Sequence, residues 1–223
     1  LYYGPSSLKD IDQLVSKTIL SPKKFAAVPA IKRYKEETTP KNEVIIAPYD
    51  AKNIYMVQFH NDDQKWSADR APIIALFNEY FGGGMNAIVF QELRESRGLA
   101  YSAYAKYDSP YRLGGNENFY TYIITQNDKM MDCVKEFNKL LNNVPVRQSG
   151  FDLAKQSLMK SLASNRTTKY TILTSYLAAQ RLGIDYSLSE KIYKAIPSLQ
   201  LQDVINFEKE YIANKPFKYI ILG

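Results

Sequence analysis

The sequence predicts an α+β fold in which an antiparallel β-sheet packs against several α-helices. The main observation is that runs with strand character alternate with groups of helical segments, without the regular strand–helix–strand repeat of a parallel sheet. The composition agrees with a globular protein, since the 223 residues are 45% hydrophobic and 23% charged. A chain of this length can bury a core without disulfides or metals.

The first 42 residues are predicted to lie outside the main domain. Apolar residues at helical spacing follow Ser7, which suits a helix N-terminus, so we expect a strand end, a Gly-Pro turn and a helix ending near Leu20. Residues 23–42 carry prolines and many charges, which indicates a linker. The predicted organisation is therefore 1–22 as the end of a preceding unit, 23–42 as the linker and 43–223 as the α+β domain.

The periodic patterns place the elements of the main domain in order. Strands are predicted at 44–46, 54–59, 101–107, 118–125 and 217–222. Helices are predicted at 73–81, at 86–95, over about sixteen residues after Asp128, and at 151–165, 169–182, 188–195 and 201–213. The Gly82-Gly83-Gly84 turn ends the first of these helices and Gly98 closes the second. The 119–125 strand is a candidate sheet edge to which an extended peptide could add.

The two ends of the chain resemble each other. A strand ending in glycine precedes a helix at the start, in Leu1-Tyr2-Tyr3-Gly4-Pro5, and a similar strand closes the chain, in Tyr219-Ile220-Ile221-Leu222-Gly223. This echo favours one period of a duplicated unit. The N-terminus lacks Met and a signal peptide, which indicates a piece of a longer protein, and the compartment stays open.

The charge distribution argues against nucleic acid as a partner. The net charge of +6 comes from 29 Lys and Arg against 23 Asp and Glu, and most basic residues have acidic neighbours. Lys23 to Lys41 is the exception, with six basic and two acidic residues. A nucleic-acid-binding domain remains a third hypothesis that rests on net charge alone. No apolar run approaches the roughly 18 residues of a membrane span.

Several catalytic chemistries are excluded by residue counts. The single histidine, His60, cannot form an H-x-x-E-H motif, and the single cysteine, Cys133, cannot form an intrachain disulfide or a multi-cysteine zinc module. His60 ends a strand beside turn-like residues, so a catalytic role is disfavoured. Cys133 lies one residue off the apolar stripe of a helix and is expected to be a small packed hydrophobe.

One segment is specific enough to suggest a family. Residues 81–102 read FGGGMNAIVFQELRESRGLAYS. This pattern of a glycine-rich turn, a helix ending in Leu-Arg-Glu and then Gly-Leu-Ala-Tyr-Ser resembles the C-terminal, non-zinc half of the pitrilysin-type zinc metallopeptidases (inverzincins), the family of insulin-degrading enzyme and the mitochondrial processing peptidase. The order of the other elements fits the same resemblance over most of the chain.

The resemblance implies half of an active site. In that family two halves face each other like a clamshell; the first binds zinc through H-x-x-E-H and a downstream Glu, and the second supplies an Arg and a Tyr seven positions apart. Arg94 and Tyr101 match that pair, whereas the zinc ligands are missing. The resemblance therefore implies no cofactor in this chain, zinc in a partner domain or subunit that carries H-x-x-E-H, a peptide substrate, and no activity of the chain alone.

The chemistry of the pair can be argued separately. Arg94 is placed in the last turn of a helix and Tyr101 at the start of a strand, and Gly98 allows the chain to reverse between them. A guanidinium and a phenol are suitable donors to a peptide carbonyl oxygen that becomes more negative during hydrolysis. The alternative is that Arg94 pairs with Glu92 or Glu95 and that Tyr101 packs in the sheet.

Two further choices stay open in the sequence. Arg97 competes with Arg94, although only Arg94 has the seven-residue spacing to Tyr101. The Gly82-Gly83-Gly84 turn is either a structural joint between two helices or, by the resemblance, a substrate-binding loop. At the level of function, the alternative to half a peptidase is a catalytically inactive scaffold or assembly subunit of the same family. Whether the zinc half is fused or separate, and the oligomeric state, stay open.

Overall fold

The computed structural model describes residues 1–19, 26–30, 32 and 34–223. Leu20, where the first helix was expected to end, and parts of the predicted linker lie outside the described residues. The preceding helix α1 (Leu8–Thr18) is present, and Ser7 caps it by accepting a hydrogen bond from the Asp10 N–H. It buries no residue. None of the described helices is long and apolar enough to cross a bilayer.

The sheet has five strands in the order β1-β5-β2-β4-β3. Their bounds are β1 (Glu43–Ala47), β2 (Ile54–His60), β3 (Ser102–Asp108), β4 (Asn118–Thr125) and β5 (Lys218–Leu222). Three of the four pairings are antiparallel, and β1 and β5 run parallel. The predicted α+β class is confirmed, with one parallel pair in an otherwise antiparallel sheet.

The sheet order corrects one expectation about its edges. β4 is hydrogen-bonded to β2 on one side and to β3 on the other, so the prediction of a free edge at 119–125 is wrong. The edges among the described strands are β1 and β3. The alternation of apolar and polar residues in β4 does not indicate whether the strand is central or at an edge. A central strand and an edge strand can both bury one face of the sheet, as β4 does.

The helices cover one face of the sheet. Beyond α1 they are α2 (Ala71–Phe77), α3 (Met130–Asn142), α4 (Gln148–Ser164), α5 (Lys169–Leu182), α6 (Leu188–Ala195) and α7 (Leu201–Tyr211). The apolar faces of α2, α3, α4 and α7 join the inward side chains of the strands in one core, exemplified by Met56 and Ile123 from the sheet and Phe77 and Phe137 from the helices. The helices α5 and α6 bury no residue. Phe77 at the end of α2 stacks on Phe81 in the turn that follows, with 5.2 Å between the ring centres.

Two π-helical segments interrupt the regular winding. The first, Asn78–Gly82, continues α2 into the glycine-rich turn. The second, Phe90–Ser96, carries the Leu-Arg-Glu motif and is called the site helix below. The predicted helices at 73–81 and 86–95 are thus confirmed in position, but their π-winding was not predicted. Segments of this kind are frequent at functional sites.

The last part of the predicted linker is attached to the sheet. The Thr39 N–H donates to the Asn61 carbonyl oxygen at 2.8 Å, and the Asn116 N–H donates to a Glu36 carboxylate oxygen at 3.0 Å. These contacts fix residues 36–39 beside the end of β2. The division of the chain at residues 22 and 42 remains a prediction.

His60 and Cys133 are both buried. The Nδ1 atom of His60 lies 2.8 Å from the Pro216 carbonyl oxygen, and burial lowers the pKa of the imidazole. Burial also raises the pKa of the Cys133 thiol to about 11, which disfavours the reactive thiolate. The expectation that Cys133 is a small packed hydrophobe is confirmed, since it belongs to the core.

Candidate functional site

The candidate site lies where the site helix turns into β3. The Gly98 N–H donates to the Arg94 carbonyl oxygen at 3.0 Å, and the Leu99 N–H donates to the Leu93 carbonyl oxygen at 2.8 Å. Gly98 has a φ of +58°, in the left-handed region that glycine adopts without a Cβ penalty. The chain therefore reverses within a few residues of Arg94 and enters the strand directly after Tyr101.

The structure brings Arg94 and Tyr101 together. The Cζ atom of Arg94 lies 6.0 Å from the centre of the Tyr101 ring and 4.8 Å from that of Phe90. The Arg94 side chain is 47% exposed and Tyr101 is 76% exposed, so Tyr101 does not pack in the sheet. A cation held over two aromatic faces keeps its N–H donors free at the edge of the plane.

Phe90 was not singled out by the sequence. It lies four residues before Arg94, and its ring supports the guanidinium from the preceding turn of the site helix. Spacing of four residues within a helix is the signal that could have found it.

The loop that carries Tyr101 is tied to β4 and to the turn after it. The Tyr101 N–H donates to the Ile124 carbonyl oxygen at 2.8 Å. The Thr125 hydroxyl donates to the Leu99 carbonyl oxygen at 2.5 Å, and the Lys129 ammonium donates to that of Gly98 at 3.1 Å. Tyr101 thus has a fixed backbone and a free side chain.

The ion pairs distinguish Arg94 from Arg97. An Arg97 Nη2 atom lies 2.9 Å from Glu136, and its Nε atom lies 3.9 Å from Glu92. Glu92 also pairs with Arg147. The carboxylate near Arg94 is that of Glu95, 3.7 Å from its Nε atom, and both side chains are about half exposed. An exposed pair of this kind is weak, so Arg94 is the more available cation.

The three glycines of the turn differ in their surroundings. A Cβ at Gly82 would overlap the Ala105 carbonyl oxygen of β3, so this buried residue lets the end of α2 approach the sheet. A Cβ at Gly83 would lie 2.9 Å from the Asn78 carbonyl oxygen, whereas Gly84 has open space around it. Gly83 and Gly84 are exposed, and a role of the turn in substrate binding stays a prediction.

No group of three or more His, Cys, Asp or Glu side chains that could hold a metal ion occurs within the described parts of the chain. The carboxylates nearest to Arg94 are used in ion pairs with arginines. The side chains that this part of the structure offers are hydrogen-bond donors, those of Arg94 and Tyr101.

Comparison with protein families identifies the chain as a non-catalytic half of a peptidase-like protein. The family model described as Peptidase M16 inactive domain matches residues 1–158. The match covers more than half of the chain, and the chain therefore belongs to this family. Comparison with the curated proteins gives no match.

Solved structures share the fold at low sequence identity. A peptidase M16 inactive domain from Pseudomonas fluorescens has a TM-score of 0.70 at 19% identity, over 88% of this chain and 46% of its own. A protease from Helicobacter pylori has a TM-score of 0.74 at 15% identity, over 98% and 53%. A conserved protein from Enterococcus faecalis has a TM-score of 0.68 at 16% identity, over 97% and 49%. The chain thus spans about half the length of these structures.

Proposed function

We propose that this chain is the non-metal half of a zinc metalloendopeptidase. It binds an extended peptide and contributes Arg94 and Tyr101 to an active site whose zinc ligands lie in another domain or subunit. The observation that carries the proposal is the exposed Arg94–Tyr101 pair at the turn into β3, with 6.0 Å between guanidinium and ring. Membership of the M16 inactive-domain family supports it.

The pair supplies electrostatic stabilisation. A peptide carbonyl oxygen gains negative charge as water attacks, and donors fixed beforehand stabilise that charge without reorganisation. Arg94 is held against the Phe90 ring, and the Tyr101 backbone is hydrogen-bonded to β4, so both donors have restricted positions. Zinc in the partner would supply the activated water. Losing one such donor costs about 10²- to 10³-fold in rate.

The peptide is assigned to the edge strand β3. Since β4 is paired on both sides, the free N–H and C=O groups of this end of the sheet belong to β3, which begins one residue after Tyr101. An extended peptide that adds to this edge gains main-chain hydrogen bonds and lies next to the donor pair. The exposed Gly83 and Gly84 are proposed to contact the same substrate.

The test uses the complete peptidase, with the zinc-bearing unit fused or added as a subunit. The variants are Arg94→Ala and Tyr101→Phe, and kcat/KM is measured on a peptide library. We expect each to lower kcat/KM by about 10²- to 10³-fold. Matched controls are Arg166→Ala and Tyr170→Phe, since Arg166 is exposed and Tyr170 has the same 76% exposure as Tyr101. Zinc-dependent hydrolysis by residues 1–223 alone would contradict the proposal.

The alternative function is an inactive scaffold or assembly subunit. It is favoured by exposed apolar surface, since α1 buries no residue and all five residues of β1 are exposed. Such surfaces suit packing against another unit. In that case Arg94→Ala and Tyr101→Phe leave the activity of the completed assembly unchanged, whereas charges placed on α1 weaken assembly.

A further inference from the structure

Glu92 is a carboxylate near the candidate site that pairs with two arginines. It lies on the site helix two residues before Arg94, and its side chain is only 14% exposed. Its Oε1 atom pairs with Arg147 and its Oε2 atom lies 3.9 Å from Arg97. Both oxygens are therefore committed to arginines other than Arg94.

These contacts join the site helix to two neighbouring elements. Arg97 also pairs with Glu136 of α3 at 2.9 Å. Arg147 precedes α4, and its N–H donates to the hydroxyl of the buried Tyr80 at 3.0 Å. The ion pairs form a series that runs from the start of α4 across the site helix to α3, in the order Arg147, Glu92, Arg97 and Glu136. Glu92 takes part in two of these three pairs.

The winding of the site helix separates this network from the donor pair. Residues five apart come close in a π-helix, as Glu92 and Arg97 do, whereas Phe90 and Arg94 stack as a separate pair. Fixing Glu92 between two arginines fixes the rotation of a helix that is only seven residues long.

We propose that Glu92 is a positioning residue for Arg94, an inference that rests on the proposed function. Its carboxylate pairs with Arg97 and Arg147. These ion pairs fix the orientation of the site helix in which Arg94 lies between Phe90 and Tyr101. Glu92 does not touch the substrate. Because Arg94 acts on charge that develops during the reaction, its misplacement lowers kcat more than it raises KM.

A double-mutant cycle in the complete peptidase tests this. Glu92→Gln keeps the size of the side chain and removes its charge. We expect it to lower kcat about 10-fold, with KM changed less than about 2-fold, because small displacements of catalytic groups cost rate steeply. In the Arg94→Ala background the same change is expected to lower kcat less than about 2-fold. If Glu92 acts on kcat through Arg94, replacing Glu92 has little further effect once Arg94 has been removed. Equal losses in both backgrounds would overturn the proposal.

Two controls separate positioning from folding. Glu190→Gln removes an exposed carboxylate that pairs with Lys194 on α6, and it is expected to leave kcat unchanged. Thermal unfolding of each variant measures any general destabilisation. A loss of kcat with Glu92→Gln that tracks the melting temperature in both backgrounds would assign Glu92 a structural role only.

A spectroscopic readout keeps this inference separate from the proposed function. The order of the Arg94 Nε–H bond is measured by ¹⁵N relaxation in the wild-type chain and in Glu92→Gln, and we expect it to fall in the variant. Unchanged order would overturn the positioning role whatever the kinetics show. If Arg94→Ala leaves activity intact while the order still falls, the proposed function fails and the positioning of Arg94 by Glu92 stands.

Discussion

The guanidinium carbon of Arg94 lies 6.0 Å from the centre of the Tyr101 ring, although a change from helix to strand separates the two residues. The closeness follows from the tight reversal at Gly98 and from the hydrogen bonds that hold residues 98–101 against β4 and Lys129. A donor pair with restrained backbones and exposed side chains is the arrangement on which the proposed function rests.

Replacing the aromatic support of Arg94 is expected to weaken the pair. Phe90→Leu keeps an apolar side chain but removes the ring 4.8 Å from the guanidinium. A cation–π contact at a partly exposed site is worth about 0.5–2 kcal/mol, so kcat of the complete peptidase is expected to fall about 2- to 30-fold. Phe90→Tyr retains the ring face and serves as the control. Equal activity of the Leu and Tyr variants would show that the ring face is dispensable.

The glycine-rich turn offers a comparison between packing and binding. Gly82→Ala forces a methyl group into the Ala105 carbonyl oxygen, and we expect the free energy of unfolding to fall by about 1–3 kcal/mol or more. Gly84→Ala meets no atom within 4 Å and is expected to leave stability nearly unchanged. Urea unfolding measures both variants. If Gly84→Ala nevertheless weakens peptide binding by the complete protein, the substrate-binding role of the turn gains support.

The anchor of the Tyr101 loop is testable by an isosteric change. Thr125→Val removes the hydroxyl that donates to the Leu99 carbonyl oxygen at 2.5 Å. We expect a loss of about 1–2 kcal/mol in the free energy of unfolding and faster hydrogen exchange at the Tyr101 N–H. Thr174→Val on the exposed surface of α5 is the control, since its hydroxyl also bonds a carbonyl oxygen. Unchanged exchange at Tyr101 would rule out the anchoring role.

Glu208 predicts a pH dependence of stability. It is buried in α7, its Oε1 atom has no partner among the described residues, and burial raises its pKa from 4.5 to about 7. Between pH 4.5 and 7 the folded state therefore keeps a proton on Glu208 that the unfolded state has lost. The contribution of this group to the free energy of unfolding is fully present below pH 4.5 and is lost as the pH rises through 7.

The variant that checks this is Glu208→Met. It is expected to raise the free energy of unfolding at pH 8 by about 1–3 kcal/mol and to flatten its decline between pH 4.5 and 7. Glu210→Met, an exposed site on the same helix, is the control. Chemical denaturation across this pH range is the measurement, and parallel curves for Glu208→Met and wild type would contradict the assignment.

The local features of the fold were predictable from the sequence. The helix at 169–182 was predicted with its observed bounds, and Gly183 after it adopts a φ of +72°, as a helix-ending glycine does. Arg94 and Tyr101 were also found, because the short motif that contains them includes the turn that brings them together. In each case the determining residues are neighbours in the sequence.

Long-range pairing was not predictable in the same way. The insertion of β5 between β1 and β2 joins residues more than 150 positions apart, and the alternation of each strand is compatible with several orders. The network around Glu92 depends on Arg147, 55 residues away, and on a π-helical winding that an apolar pattern does not distinguish from an α-helix. Sequence spacing therefore identified Arg94 but not the residues that orient it.

The parallel pairing of β1 with β5 has a consequence for the order of folding during synthesis. β1 emerges from the ribosome before the other four strands, yet among the described strands it pairs with β5 alone. Its isoleucines must therefore remain without a strand partner until residues 218–222 have also left the exit tunnel, about 170 residues later. At the 5–20 residues per second of translation, this wait lasts about 9–34 s. During that time the unpaired apolar residues of β1 are suited to capture by a chaperone.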